Sequence, residues 1–351
     1  MNKNKLNYSV ITTLDDELKS TFEELQEYLI NSDYYNILDD KIKKKHKYLK
    51  SRLDRIRNVG EIGDTTIQFK HTPDRYSLNT LLNKFLIDKK LESICPLCTV
   101  SQSHKMKYPI SLVRSILWRK YLVTPNTFPY FKNHYMILST DHNNGKEGER
   151  GTQSITHTDK YVIKDMMLFY LLIGRKGTMF FNGYIGNSQT HFHFHYTTEL
   201  VPVQYIIYQM NDLDSEILNT KKNNKIILFK HTNKECLNGI VFYGNYETLS
   251  FEIFNFLKTI NKKNLLYNIL FIPNKKETIE NKITVIIYLR KKPQTKKITD
   301  LDMGATSVAG FLVSPQMPKF KLNSKVLINN IEKYCNATVV KPTKDLFDSI
   351  L

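Results

Sequence analysis

The sequence predicts an α+β protein: an antiparallel sheet with packed helices, built as two similar halves behind N-terminal helices. Short apolar or alternating runs, the pattern of strands, dominate from residue 60 onward. Longer stretches with apolar residues at helical spacing fall between them. The order strand, helix, strand, loop, strand occurs once with a histidine row in its last strand and again without one.

Residues 13–31 open with Thr-Leu-Asp-Asp-Glu-Leu, a capped start, and place Leu18, Phe22, Leu25 and Leu29 on one helical face. Residues 36–57 read as a second helix, basic through Lys41, Lys43, Lys44, Lys45, Lys47 and Lys50. These two form a basic helical segment, 1–60. The half with the histidines, 61–205, begins with a strand at Thr66-Ile-Gln-Phe-Lys. It continues with a hairpin over 118–139 whose second strand is His134-Tyr-Met-Ile-Leu138, and with a substrate-closing loop over 143–158. An apolar helix over Asp159–Gly174 then leads to the strand Thr178-Met-Phe-Phe. The second half, 206–320, has strands at 225–229, 239–243, 267–272 and 283–290 and a helix near 247–261. A tail, 321–351, carries one helix, 326–335.

With 351 residues and 41% hydrophobic content, the chain can bury a real core, which excludes a disordered protein. Against 34 acidic residues stand 51 basic ones, a net charge of +17 that attracts polyanions such as nucleotides, phosphosugars, RNA and DNA. The N-terminal residues are too poor in apolar side chains for a signal peptide, and no stretch approaches membrane-spanning length. A soluble, cytoplasmic protein with no membrane partner is expected. Cys236 and Cys335 stand alone in sequence, which fits a reducing compartment better than a disulfide framework. The oligomeric state is not legible.

Residues 182–199, Asn-Gly-Tyr-Ile-Gly-Asn-Ser-Gln-Thr-His-Phe-His-Phe-His-Tyr-Thr-Thr-Glu, concentrate the reactive groups. In a strand His191, His193 and His195 share one face, with Phe192 and Phe194 on the other. Three readings are open. The row is the polar side of a half-exposed strand, or a metal site on a sheet with Glu199 as the nearby acid. Alternatively one imidazole attacks phosphorus while its neighbours fix its tautomer and protonate the leaving group. The preceding loop, with Asn182, Gly186, Ser188 and Gln189, would then hold the phosphate oxygens.

Gly186-Asn-Ser188-Gln189-Thr-His191-Phe-His193-Phe-His195 resembles the signature of the histidine-triad superfamily, Gly-x-Ser-x-x-His-x-His-x-His or Gln. The likeness is strongest to the branch of galactose-1-phosphate uridylyltransferase, diadenosine tetraphosphate phosphorylase (ATP adenylyltransferase) and GDP-hexose phosphorylases, and it runs from about residue 66 to 320, where Asp300-Leu-Asp-Met-Gly304 resembles a C-terminal element. The resemblance implies a two-halved histidine-triad-like fold with a degenerate second half. It implies covalent nucleotidylation of His193 and phosphate contact by Ser188, with His191 and His195 in support. Asn182, Gly186 and Gln189 would bind phosphate or ribose, Arg75 of His71-Thr-Pro-Asp-Arg75 would contact phosphate, and Phe131, beside Tyr130, would pack on the base where it is not simply a core ring. Cys95-Pro-Leu-Cys98 is half of a zinc site by itself, and the resemblance supplies His142, of Ser139-Thr-Asp-His142, and His191 as the other ligands of a structural zinc. Two positions depart from the transferases: His195 stands where they carry Gln, and Thr190 where Pro is frequent.

The expected activity is nucleotidyl transfer from a dinucleoside polyphosphate or nucleotide-sugar, with inorganic phosphate as acceptor in a phosphorylase. A third histidine is commoner in hydrolases of the superfamily, so hydrolysis of nucleotides or nucleic-acid ends is the alternative. A non-catalytic nucleic-acid-binding protein is the reading from outside enzymology.

Overall fold

Ten strands form one antiparallel sheet, and a second, three-stranded sheet lies apart from it. The computed structural model describes residues 20–24, 27, 40–61, 67–73, 97, 116–126, 128–140, 155, 160–183, 191–209, 216–221, 224–229, 238–274, 281–291, 304–314 and 325–350. Residues 20–24 are helical. In chain order the elements are α1 (Asp40–Asp54), β1 (Arg57–Glu61), β2 (Gln68–His71), β3 (Ile116–Trp118), β4 (Tyr121–Pro125), β5 (His134–Ser139), α2 (Val162–Leu172), β6 (Thr178–Asn182) and β7 (His193–Thr197). There follow α3 (Pro202–Gln209), β8 (Glu216–Lys221), β9 (Asn224–Phe229), β10 (Gly239–Asn245), α4 (Tyr246–Lys262), β11 (Leu266–Ile272) and β12 (Lys282–Arg290). The last elements are α5 (Ala305–Val308), β13 (Phe311–Ser314), α6 (Lys325–Thr338) and α7 (Lys344–Asp348).

The large sheet runs β3-β4-β5-β7-β6-β11-β12-β10-β9-β8. From its two edges inward, β3-β4-β5-β7-β6 and β8-β9-β10-β12-β11 are the same path. Each half inserts a long helix between its third and fourth strands, α2 in the first and α4 in the second. The halves join where β6 pairs antiparallel with β11. One core cluster under α2 and α4 contains Phe169, Phe194, Ile253 and Ile287, so both halves share that core.

Local chemistry explains the two helices. Asn245 caps α4 by accepting from the Glu247 N–H at 2.9 Å, and its buried stripe is Leu249, Ile253, Phe256, Leu257 and Ile260. Helix α2 has no side-chain cap and is held by burial of eight of its eleven residues. Its buried Asp165 pairs with Arg119, from the turn between β3 and β4. Strand alternation sends Phe192, Phe194 and Tyr196 into the helix-side core and His193 and His195 to the opposite face. At Gly177 (φ +76°) β6 begins so close to β7 that a Cβ would meet the Thr197 carbonyl at 2.1 Å. Glycine alone fits there.

On the histidine face the two halves diverge. In the second half, Val241, Ile286 and Tyr288 join Leu327, Ile331, Tyr334 and Cys335 of α6 in one cluster. That face is plugged with apolar side chains, and β12 carries Thr284, Ile286, Tyr288 and Arg290 there. In the first half the corresponding strand is β7. Beside it lies the small sheet, β1-β2-β13, in which β13 runs parallel to β2.

The helix expected over 36–57 ends at Asp54, and Arg57 already starts β1. The hairpin over 118–139 is preceded by β3, folded back through the turn at Arg119 (φ 53°). The loop over 143–158 lies outside the described residues except Ile155, which is buried and whose N–H donates to the Tyr267 hydroxyl at 3.0 Å. Among the described residues no helix is long and apolar enough to cross a membrane. Cys335 is buried and forms no disulfide among the described residues.

Candidate active site

The reading of a half-exposed polar strand fails, because His191, His193 and His195 are 0, 3 and 7% exposed. A buried imidazole needs partners for both ring nitrogens or a task for the one left over. At His193, Nδ1 lies 2.7 Å from the His191 carbonyl oxygen. A carbonyl only accepts, so Nδ1 carries the proton and Nε2 the lone pair. Burial lowers the His193 pKa to about 4, against a smaller raising effect from that carbonyl bond. The ring is neutral at physiological pH, with a nucleophilic Nε2.

His195 is fixed from the neighbouring strand. The Tyr130 N–H donates to Nδ1 of His134 at 3.3 Å, and His134 Nε2 lies 3.0 Å from His195 Nδ1. With Nδ1 of His134 accepting, its Nε2–H donates to His195, and His195 must carry its own proton on Nε2. Phe180 stacks on the His195 ring at 4.8 Å and 14°, and the His193 and His195 rings stand 4.8 Å apart at 80°. His195 is thereby held with its Nε2–H as donor beside His193, the role an amide would fill. His134 has a sequence signal, a histidine opening a strand, but its pairing partner lies 61 residues on.

His191 Nε2 lies 2.8 Å from the Ser139 carbonyl, so it donates there and leaves Nδ1 with a lone pair. Asn182 is 5% exposed, and its Oδ1 accepts from the Ala305 N–H at 2.7 Å. Phe131 is fully buried among Tyr130, His134, Phe180 and Phe311, with Lys70 Nζ 4.3 Å from its ring centroid. No face of that ring is open to a base, and it shapes the wall behind His134. Arg75, Cys95, Cys98, His142, Gly186, Ser188 and Gln189 lie outside the described residues.

The metal site built on Glu199 also fails. One carboxylate oxygen of Glu199 pairs with Lys70, which is 1% exposed, and the other accepts from the Lys132 N–H at 2.8 Å. Burial lowers the Lys70 pKa and the Glu199 carboxylate opposes that shift. Nothing in the sequence signals this pair, which joins residues 129 apart. Among the described residues no group of three or more His, Cys, Asp or Glu side chains could hold a metal.

Fold and site define a two-halved antiparallel α+β protein with a row of buried, hydrogen-bonded imidazoles on one face of its first half. No family model matches the sequence, nor does any curated protein. Among solved structures the chain is similar to the yeast Ap4A phosphorylase Apa2, at 12% identity over 86% of this chain and 94% of that one (TM-score 0.45). A DUF4931 family protein from Bacillus cereus aligns at 12% identity over 62% of this chain and 96% of that one (TM-score 0.34). A uridylyltransferase aligns at 12% identity over 55% of this chain and 83% of that one (TM-score 0.37). At these TM-scores the chemistry rests on the side chains of this chain.

Proposed function

We propose that the chain is a nucleotidyltransferase that cleaves a dinucleoside polyphosphate or nucleotide-sugar through a covalent nucleotidyl-His193 intermediate. The observation that carries this is the His193 tautomer, in which the His191 carbonyl holds Nδ1–H at 2.7 Å and Nε2 is therefore the unprotonated, nucleophilic nitrogen. His193 Nε2 bonds to the α-phosphorus as the bond to the bridging oxygen breaks, and the leaving phosphate departs with that electron pair. The ring takes up positive charge, which strengthens the Nδ1–H bond to the carbonyl. His195 donates from Nε2 to a phosphoryl oxygen, as do the backbone and side chains of Gly186, Ser188 and Gln189, with Arg75 on the outer phosphate. The acceptor oxygen, from inorganic phosphate in a phosphorylase or water in a hydrolase, then bonds to the nucleotidyl phosphorus as the bond to His193 Nε2 breaks, which returns the electron pair to the imidazole.

A structural zinc is compatible with the His191 hydrogen bond. Ligating histidines donate their second N–H to a carbonyl, as His191 does to Ser139, and His191 would bind the metal through Nδ1. Leu97, between Cys95 and Cys98, is buried with Met136 and Leu138 of β5, the strand that ends at Ser139. Cys95, Cys98, His142 and His191 would hold the ion, which supplies a crosslink between the Cys loop and the histidine strand.

Intact mass of the purified chain after brief exposure to Ap4A, GDP-sugars and UDP-sugars, beside His193→Ala, tests the proposal. An acid-labile nucleotidyl adduct on the wild type alone is expected, and a chase with phosphate or water distinguishes phosphorylase from hydrolase. No adduct together with no cleavage of any of these compounds would exclude it.

One observation favours a nucleic-acid end as the substrate instead. Helix α1 and the residues after it expose Lys44, Lys47, Arg55 and Arg57. The helix also seats the Arg52 guanidinium 3.9 Å over Phe128, in the segment that leads to His134. A polyanion entering the site would lie along this basic ridge. Cleavage of capped or adenylylated ends but not of Ap4A, with steep salt dependence, selects this reading.

A further inference from the structure

We infer that the Gly304–Ala305 turn, which returns after the second half, is a positioning element of the His193 site and acts through Asn182; this rests on the nucleotidyl-transfer reading. Three observations converge. First, β6 pairs Phe180 with His195; Asn182 ends β6 two residues on and His193 opens β7 two residues back, and alternation puts Asn182 on the Phe180 face, the one that carries the histidines. Second, the Ala305 backbone N–H donates to Asn182 Oδ1 at 2.7 Å. That bond settles the orientation of the amide: its oxygen faces Ala305 and its N–H groups face away from the turn. Third, the turn is fitted to that side chain. A Cβ on Gly304 would stand 2.8 Å from Asn182 Oδ1 and 3.3 Å from both Cγ and Nδ2. Gly304 has an ordinary φ of −79°, so close approach, not backbone freedom, demands glycine there.

The consequence is electrostatic. An unrestrained asparagine beside a phosphate can turn its carbonyl oxygen toward the anion and repel it. With Oδ1 held by Ala305, Asn182 is a donor only, as His195 is a donor only once His134 holds its Nδ1. Asn182 on β6 and His195 on the nucleophile's own strand therefore both present N–H groups, each locked by a residue outside the histidine signature. The second half reinforces the same row: Asn268 pairs with Asn182 across the seam, and the fully buried Arg290 donates to Asn268 Oδ1.

The test compares the full-length wild type with Gly304→Ala, Asn182→Ala, the double variant and Asn182→Asp, measuring single-turnover adduct formation on His193 from Ap4A. Asn182→Ala is expected to slow the adduct about a hundredfold or more, the scale of a lost oxyanion donor, and Gly304→Ala, which misaims that donor, to slow it by no more than that. The double variant should be no slower than Asn182→Ala. Asn182→Asp still accepts from the Ala305 N–H and should keep the wild-type thermal midpoint, yet slow the adduct at least as much as Asn182→Ala, because a charged oxygen now faces the phosphate. That split would not arise from a merely structural role. A Gly304→Ala chain as fast as wild type, a double variant whose loss is the product of the two single losses, or an active Asn182→Asp chain each overturns the inference and leaves the transfer reading standing. A wild type that neither forms the adduct nor cleaves Ap4A overturns the reading and this inference with it.

Discussion

His134 and His195, on adjacent strands of the large sheet, meet Nε2 to Nδ1 at 3.0 Å, and the Tyr130 N–H on the far side of His134 gives that contact a direction. Proton positions in the pair follow from one backbone amide. A side chain that merely donates can be replaced by another donor, so His195→Gln, whose carbonyl can accept from His134 while its amide faces the phosphate, is expected to keep adduct formation within about tenfold of wild type. His195→Ala and His134→Ala should lose about a hundredfold or more, the scale of a missing oxyanion donor. Single-turnover kinetics with the three variants checks the order. Equal losses for His195→Gln and His195→Ala would mean that His195 works through its imidazole, as an acid.

Burial of His193 sets the pH profile. Its folded pKa, lowered to about 4, lies below the ordinary 6.5. The nucleophile is therefore neutral through the physiological range, and adduct formation should be flat from about pH 5.5 to 8 and fall about tenfold per pH unit below 4. Stability moves with the same sign. Between 6.5 and about 4 the unfolded chain binds the proton that the folded chain refuses, so stability is full above 6.5 and declines as pH falls toward 4. His193→Phe should remove this contribution, on the order of 3 kcal/mol at 1.36 kcal/mol per pH unit. Denaturant unfolding of both chains at pH 7 and pH 4.5 measures the difference.

The histidine row was legible because three like residues at period two have no cheap structural explanation, and the helices α2 and α4 because their apolar stripes run long. Strands β9 to β12 were legible for the same reason, as short apolar runs. What stayed hidden depends on distant partners. Strand β13 needs β2, about 240 residues earlier, as its parallel neighbour. Glu199 looked like a metal ligand because sequence shows proximity along the chain, whereas its partner Lys70 comes from another sheet. Phe131 reads as a base contact by position, yet the fold encloses its ring fully, and the Ala305 N–H that holds the Asn182 oxygen lies 123 residues further along the chain.

Lys70 and Glu199 make an asymmetric pair, since the lysine side chain is 1% exposed and the carboxylate 24%. Orphaning the deeper charge should cost more. Glu199→Gln leaves Lys70 among Phe131 and Phe311 without its anion, and a loss of about 3–5 kcal/mol is expected. Lys70→Met leaves a carboxylate that still accepts from the Lys132 N–H and reaches water, so its cost should be smaller. Thermal melts of both variants decide. A larger loss for Lys70→Met would show that the pair's attraction, not the burial of the cation, dominates.

The zinc proposal has a readout independent of catalysis. If Cys95, Cys98, His142 and His191 share an ion, the purified chain contains about one zinc, and chelation lowers the melting midpoint, because metal that binds only the folded state adds its binding energy to stability. Cys95→Ser should lose both the metal and the chelator response. His191→Asn is more informative. Its amide can still donate to the Ser139 carbonyl, as His191 Nε2 does now, but it does not replace an imidazole ligand. Zinc loss in His191→Asn with the fold retained would tie the Cys loop to the histidine strand through the metal. A chain that never carries zinc would make His191 a hydrogen-bonded spacer, its imidazole serving to hold β5 against the strand that places His193.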